Sequence, residues 1–400
     1  MECVILAAGE GKRMRPLTTS RPKVMLPVAN RPMLEHLVLA VRDAGVSDFV
    51  FVVGYHEQEI RNHFKDGSFL GVNIRYTTQR RQMGTADALL AAQGLVTGRF
   101  LLLNGDMILK TDDIKIFCKN PAPCVGTFES SHPEDFGVVI SEGTTVSGIY
   151  EKSKNPPGNI INAGIYLFDL EIFDILKNIS ISERGEYELT DALSEYISSQ
   201  RLTSCIISSW CDIGEPWNLV DANESLMKSI RDDISGIIEN GVCISGNLVL
   251  GKGSVIKSGT YIEGNCIIGE NCDIGPHAYI RGCTSVGDNC HIGHSVEVKN
   301  SVIFRGTKIP HFNYVGDSVI GSGCNFGAGT KIANLRHDRK NVRVAGTDTK
   351  RRKFGAVVGD NVQLGINCSV NTGTVIGSGV TASPGSCIEG VISDNSKIVR

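Results

Sequence analysis

The stretch with the most chemistry to offer is Leu6-Ala7-Ala8-Gly9-Glu10-Gly11-Lys12-Arg13-Met14, continuing through Pro16 to Pro22-Lys23-Val24-Met25-Leu26-Pro27. It follows one apolar run, Cys3-Val4-Ile5-Leu6, that reads as a strand. Ala7, Ala8, Gly9 and Gly11 are small, so the backbone can close on a ligand and offer it N–H groups. Arg13 and Lys23 add two cations. Small residues after a first strand, then spaced cations, describe a site for a polyphosphate. The pattern is neither Gly-x-x-x-x-Gly-Lys-Ser/Thr nor Gly-x-Gly-x-x-Gly. A plain strand-to-helix turn is the competing reading.

Three further positions invite chemistry. Asp106 closes the apolar run Phe100-Leu101-Leu102-Leu103-Asn104-Gly105-Asp106. A carboxylate at a strand end suits Mg²⁺, which takes few protein oxygens and fills the rest with water and phosphate; a turn aspartate is the plainer alternative. Gln79 stands five residues before Gly84-Thr85-Ala86. Its amide both donates and accepts, as the O4 and N3–H edge of uracil or thymine requires, although a lone glutamine is usually surface. His311 opens His311-Phe312-Asn313-Tyr314-Val315-Gly316-Asp317. A histidine in a repetitive segment is more often structural, yet an imidazole titrating near ~6.5 suits a general base.

The loop motif with Pro22-Lys23 downstream resembles the signature of sugar-1-phosphate nucleotidylyltransferases. The resemblance implies that Leu6, Ala7, Ala8, Gly9, Gly11, Gln79, Gly84 and Thr85 bind the nucleotide. It makes Asp106 one Mg²⁺ ligand, in Leu-Leu-x-Gly-Asp, and Asp212 of Trp210-Cys211-Asp212-Ile213-Gly214 the second. Phe136-Gly137-Val138-Val139, Tyr150-Glu151-Lys152 and Ile161-Asn162-Ala163-Gly164-Ile165-Tyr166 match, in order, the family's sugar-pocket segments. By that match Gly137, Glu151 and Asn162 meet hydroxyls or an N-acetyl group, and Lys152 the sugar phosphate. Glu186-Tyr187-Glu188-Leu189-Thr190-Asp191 matches a family helix start with no chemistry attached. The implied reaction is direct in-line transfer without a covalent intermediate, with Arg13 and Lys23 on the phosphates.

The elements that must position these residues fall into two regimes. A chain of 400 residues has room for two domains. A net charge of −3 and a pI near 6.3 argue against a dedicated nucleic-acid binder. No apolar run approaches the ~18 residues of a membrane span, and the N-terminus is a strand rather than a signal peptide, so the cytoplasm is expected. The 13 cysteines form no Cys-x-x-Cys pair and read as reduced thiols. Of the 45 glycines, 18 precede residue 230 and 27 follow it.

Residues 1–228 alternate apolar runs, such as Phe49-Val50-Phe51-Val52-Val53, with helical patterns over 33–44 and 86–94. That rhythm predicts an α/β, Rossmann-like domain with a mostly parallel sheet and ligands at the strand ends. Residues 236–400 repeat by six. Ile244, Leu250, Ile256, Ile262, Ile268, Ile274, Ile280, Val286, Ile292 and Val298 keep the beat without a slip; Val358, Leu364, Val370, Ile376, Ala382 and Ile388 resume it. A small residue sits two places earlier: Thr260, Cys266, Cys272, Ala278, Thr284, Cys290, Cys368, Thr374. One inward aliphatic and one inward small residue per six describe a triangular parallel β-helix, the left-handed hexapeptide-repeat pattern. Cysteine at the small positions acts as a compact hydrophobe. His291-x-x-His294 flanks Ile292 in this repeat, which favours a structural role over zinc. The repeat breaks twice, at 305–310 and in the basic loop 334–354, and loops expelled from a solenoid concentrate function.

These breaks resemble the acetyltransferase half of the bifunctional enzymes that acetylate glucosamine 1-phosphate and then uridylylate it. The resemblance makes His311 the general base for the attacking amine. It assigns Arg281, Lys299 and Lys340 to the sugar phosphate, Tyr314 and Asn325 to the sugar, and Asn334 to the reacting region. Lys350-Arg351-Arg352-Lys353 then faces acetyl-CoA phosphates or solvent. Ile366 stands where bacterial relatives carry a serine near the cofactor. The expected reading is a bifunctional enzyme using Mg²⁺, acetyl-CoA and UTP or dTTP, binding small molecules rather than nucleic acid or membrane, and assembling as a homotrimer. UTP against dTTP, glucose 1-phosphate against its N-acetylated counterpart, and glucosamine against galactosamine stay open. A nucleotidylyltransferase whose coil only oligomerises it is the alternative.

Overall fold

A computed structural model describes residues 1–182 and 184–399. The chain forms two compact units: Met1–Glu10 with Arg21–Met25 and Met33–Asp212, and Gly11–Ser20 with Leu26–Pro32 and the chain from Ile213 onward.

The first unit is built on a nine-stranded sheet. Its first four strands, in the order Asn73–Thr78, Asp48–Val53, Glu2–Ala7 and Phe100–Asn104, are mutually parallel. Consecutive burial of Phe49 through Val53 follows from a sheet covered on both faces. Beyond them, among the described residues, only Thr203–Ile206 and Cys124–Glu129 pair in parallel in this sheet. Ile160–Phe168 runs antiparallel to both of its main neighbours, and Gly137–Glu142 folds back on Thr145–Glu151. The sheet is therefore mixed. Two residues at 143–144, with Gly143 at φ +62°, are enough for a hairpin and too few for a parallel crossover. The helix expected over 33–44 forms as Met33–Asp43, whereas the one expected over 86–94 is cut to Thr85–Leu90. The parallel strands end at Ala7, Val53, Thr78 and Asn104, directly before Ala8, Gly54, Gln79 and Gly105. Strand polarity thus brings the candidate loops to one edge.

The second unit consists chiefly of three all-parallel sheets of nine, nine and eight strands, visited in rotation. Leu248–Leu250 pairs with Cys266–Ile268, Val255–Ile256 with Asp273–Ile274, and Tyr261–Glu263 with Tyr279–Arg281. The predicted aliphatics from Leu250 to Ile376 form one interior column, and the eight small residues two places earlier are all buried. Burial raises the Cys266, Cys290 and Cys324 thiols to about 12, so they pack as neutral groups.

The irregular middle is more regular than the sequence suggests. Residues 305–310 are not expelled: strand Lys308–His311 continues the second face, with Ile309 fully buried. Val298, Ile303, Ile309, Val315, Ile320, Phe326 and Ile332 all point into the column. The beat is lost because a residue is missing between Val298 and Ile303 and again between Val315 and Ile320. Both deletions fall at the corner joining the third face to the first. The long excursion over 334–354, which carries a small hairpin of Arg343–Val344 and Thr347–Asp348, leaves from that same corner.

The outer side of the first face is apolar, and it is covered. Ile267, Val302, Val319 and Val357 alternate with inward residues yet are buried. Met227 of helix Asn218–Met227 and Ala29 pack on Ile267. Asn223, fully buried, accepts from the Ala29 N–H at 2.9 Å and donates to the Cys283 carbonyl at 2.7 Å. This is why Leu26–Pro32 and the helix belong to the coil's compact unit.

Candidate active sites

In the first unit, Met107 and Asp212 are register partners in a two-stranded antiparallel ladder. Asp106, one residue earlier, is therefore brought beside a carboxylate that is remote in sequence. Lys23 Nζ stands 2.5 Å from Asp106 Oδ2, with the lysine side chain only 10% exposed. The Gly105 N–H donates to the Leu6 carbonyl at 2.9 Å, and a Cβ on Gly105 would lie 2.8 Å from that oxygen. Only glycine lets this turn approach Leu6, and the loop after it, so closely. At Gly9 a Cβ would meet nothing within 4 Å, so no neighbour in the fold demands glycine there. The open space suits a ligand approaching the backbone. The Ala8 carbonyl is tied by Tyr55 N–H at 3.1 Å and Gln82 Nε2 at 2.9 Å. Two carboxylate ligands are a set that Mg²⁺ accepts, and a third protein ligand is not required.

Gln79 and Gly84 lie together. Gln79 Nε2 donates to the Gly84 carbonyl at 3.0 Å and to Asp87 Oδ2 at 2.7 Å. Both amide protons are thus spent on the fold, leaving the side-chain oxygen as an acceptor. Gly84, at φ +108°, presses on Tyr187, whose carbonyl oxygen would be 2.4 Å from a Cβ. Thr85 Oγ1 accepts from the Leu189 N–H at 3.0 Å, the first residue of helix Leu189–Ser198. Its hydroxyl therefore satisfies the first N–H of that helix, and the segment 186–191 is what locks the Gly84-Thr85 turn.

The residues expected to meet the sugar lie in the mixed half of the sheet. A Cβ on Gly137 would lie 2.6 Å from Glu151 Oε2, and the two residues are register partners. Asn162 accepts from the Gly164 N–H at 3.0 Å and donates to the Tyr166 hydroxyl at 2.8 Å. Trp210, two residues before Asp212, donates to the Ala163 carbonyl at 2.9 Å and packs on Phe128 and Phe136. This ties the carboxylate ladder to strand Ile160–Phe168. Lys152 is exposed, at φ +44°. Arg13 belongs to the second unit, where it is 67% exposed and pairs with Glu215 at 3.1 Å.

The second unit gathers its candidate residues around a buried carboxylate. Arg281 and Lys299 are register partners on the third face, and Lys299 in turn pairs with Gly316. Arg281 is held by Glu297 at 2.7 Å. Lys299 is bound to Asp317, whose side chain is 3% exposed. Asn334 donates to Asp317 and, at 3.0 Å, to the Tyr314 hydroxyl. Burial first, then the Glu297 and Asp317 charges, keep the Tyr314 phenol raised above its ordinary range. His311 ends its strand at the opposite corner, exposed, and among the described residues its ring has no hydrogen-bond partner. Asn325 lies on the second face, and Lys340 lines an open depression of about 570 Å³ with Arg336, Asp338, Asn341, Arg343 and Asp348. One chain thus joins Arg281, Lys299, Tyr314 and Asn334, but seats His311, Asn325 and Lys340 elsewhere on its surface.

Comparison with known proteins covers both units. The nucleotidyl transferase family profile matches residues 2–229, and a GMPPB C-terminal domain profile matches residues 262–400. A bifunctional protein GlmU from Methanococcus maripaludis is 46% identical over all of this chain and 97% of its own length. Its counterpart from Methanocaldococcus jannaschii is 41% identical, over all of this chain and 98% of its own. The chain belongs to the bifunctional GlmU family. A bifunctional sugar-1-phosphate nucleotidylyltransferase/acetyltransferase from Sulfurisphaera tokodaii is 39% identical over 97% of both chains. Among solved structures, a protein assigned as a glucose-1-phosphate thymidylyltransferase from Bacillus anthracis, crystallised with sucrose, superposes with a TM-score of 0.54. It is 31% identical and covers 58% of this chain and 98% of its own.

As a GlmU-family chain the protein is an enzyme with two transferase activities, nucleotidyl transfer and acetyl transfer. The sequence reading passed over the residues that hold this machinery in place. Tyr187, Asn300, Gly316 and Asp317 carry no reactive signature. Three of them had a signal: Tyr187 its place in the 186–191 segment, and Gly316 and Asp317 theirs at the end of the His311–Asp317 motif.

Proposed function

We propose that the chain makes a nucleoside diphosphate sugar, with acetyl transfer preceding nucleotidyl transfer in the synthesis of UDP-N-acetylglucosamine. At the first site the phosphate oxygen of N-acetylglucosamine 1-phosphate or glucose 1-phosphate attacks the α-phosphorus of UTP or dTTP. The bond to the β-phosphate breaks in line, and pyrophosphate leaves with the electron pair. Leu6 to Gly11 lie along the phosphates, and the Gln79 side-chain oxygen accepts from the pyrimidine N3–H. Gly84 shapes the base pocket, while Gly137, Glu151 and Asn162 frame the sugar and Lys152 meets its phosphate. Lys23 and Arg13 stabilise charge on the phosphate oxygens. Asp106 and Asp212 would hold Mg²⁺, which supplies further neutralisation of that charge.

At the second site His311 takes a proton from the amine of glucosamine 1-phosphate or galactosamine 1-phosphate. The amine nitrogen bonds to the acetyl carbon of acetyl-CoA, and the thiolate of CoA leaves and is reprotonated. Arg281, Lys299 and Lys340 hold the phosphate, Tyr314 and Asn325 the sugar, and Asn334 the reacting region. The observation that carries the reading is the convergence of Lys299, Tyr314 and Asn334 on one corner of the coil. The scaffold-only alternative gives way because relatives matching the whole chain are named for both activities.

The same proposal places the domain boundary between 228 and 236, makes the coil left-handed and the assembly a cytoplasmic homotrimer. The test combines glucosamine 1-phosphate with acetyl-CoA and follows CoA thiol for the wild type and His311→Ala. Thiol release that the substitution abolishes supports the second site. Pyrophosphate release from UTP or dTTP with no thiol from any amino-sugar phosphate would reduce the coil to a scaffold.

A further inference from the structure

The His311–Asp317 motif contains one carboxylate, and the proposed reaction leaves it unused. Asp317 is almost fully buried, and its carboxylate is saturated. Lys299 Nζ donates to both oxygens, at 2.8 Å to Oδ1 and 2.6 Å to Oδ2. Asn300 Nδ2 donates to Oδ1 at 3.1 Å, and Asn334 Nδ2 to Oδ2 at 2.5 Å. The backbone is pinned as well: Asp317 N–H donates to the Lys299 carbonyl at 2.7 Å, at φ +47°.

These contacts set the polarity of everything around them. An ionised carboxylate can only accept, so the Asn334 atom facing it must be the NH₂. That nitrogen also donates to the Tyr314 oxygen at 3.0 Å. Both Asn334 protons are then spent, and its carbonyl oxygen is left over as an acceptor. Tyr314, having accepted, keeps its own O–H to donate. Lys299 has three N–H bonds and gives two to Asp317, leaving one aimed donor instead of a swinging point charge. Gly316 makes room for the arrangement: a Cβ there would lie 2.5 Å from the Tyr314 oxygen and 2.6 Å from Asn334 Nδ2.

We infer that Asp317 is a positioning residue for acetyl transfer: it never touches substrate, but it fixes Lys299 as a phosphate donor and Asn334 as an acceptor for the substrate amine. This rests on the acetyl-transfer reading above. A 2-amino sugar 1-phosphate presents N–H donors and an anion on neighbouring ring carbons, the complement of an acceptor and a donor held on one carboxylate. With the Asp317 charge removed, Lys299 is released and Asn334 is free to turn its NH₂ outward, toward an amine that it then repels.

The test uses the full chain with Asp317→Asn, a residue that tolerates the left-handed backbone. The KM for glucosamine 1-phosphate should rise about tenfold or more, as expected for losing charge-assisted hydrogen bonds. The KM for acetyl-CoA and the rate of pyrophosphate release should stay within about twofold of the wild type, the spread of a surface change. As a second variant, Asp317→Gly keeps the backbone and empties the carboxylate's place, so formate, but not chloride at equal ionic strength, should bring the glucosamine 1-phosphate KM back down. Unchanged KM in Asp317→Asn overturns the inference. So does a lower kcat with both KM values intact and a lower Tm, which marks a purely structural role. A wild type that releases no thiol with glucosamine or galactosamine 1-phosphate, while still releasing pyrophosphate, instead refutes the acetyl-transfer reading and takes this inference with it.

Discussion

The Lys23 ammonium stands 2.5 Å from Asp106 Oδ2, although the two residues belong to different loops of the first unit. In the proposed reaction this pair is the cation on the phosphate oxygens and one of the two carboxylates that would hold the metal. Each keeps the other oriented, so the loss of either disturbs both.

Replacing Lys23 by Met should therefore lower kcat for pyrophosphate release by roughly 10²–10³-fold, the usual effect of removing one preorganised donor from developing charge. Steady-state kinetics with UTP and dTTP would measure it. Thiol release by the same variant should be unchanged.

Asp106→Asn should raise the Mg²⁺ concentration needed for half-maximal pyrophosphate release, because one of two carboxylates is lost. A Mg²⁺ titration at saturating substrates reads this directly. An unchanged titration curve would remove Asp106 from the metal site.

Thr85→Val tests the hydroxyl's role in the fold. The Thr85 hydroxyl accepts from the Leu189 N–H, so its loss should destabilise the chain by about 1 kcal/mol, the typical worth of a hydrogen bond to an N–H of a helix's first turn. A lower Tm is expected from thermal denaturation. Thr85→Ser should restore the Tm.

The cysteines offer a test of the coil and a pH dependence. Burial raises the Cys266, Cys290 and Cys324 thiols to about 12. A raised pKa extends the protonated form to higher pH, so moving from pH 7 to 9 should not make these residues reactive in the folded state. Iodoacetamide with mass spectrometry should label the exposed Cys243 and Cys387 first, and the buried set only in denaturant.

Much of this protein is written locally. Aliphatics every six residues with small partners two places earlier dictate a coil of three faces, because each unit alone can close one side and its turn. The small residues before Arg13 and Lys23 likewise carry the proposal of a phosphate loop without any tertiary contact. What the sequence could not disclose depends on pairing between distant segments. Asp212 reaches Asp106 only through its register with Met107. Thr85 satisfies the first N–H of a helix only because Leu189 arrives beside it. The two single-residue deletions hide the repeat from Val298 to Ile320, yet the coil absorbs them at one corner, since the inward column rather than the residue count is what packing enforces. Asp317 has no reactive partner in sequence, and it becomes the centre of a polar cluster because successive coils stack Lys299 and Asn334 upon it. Local periodicity determines which face of the chain is buried; only the three-dimensional register decides which polar groups meet.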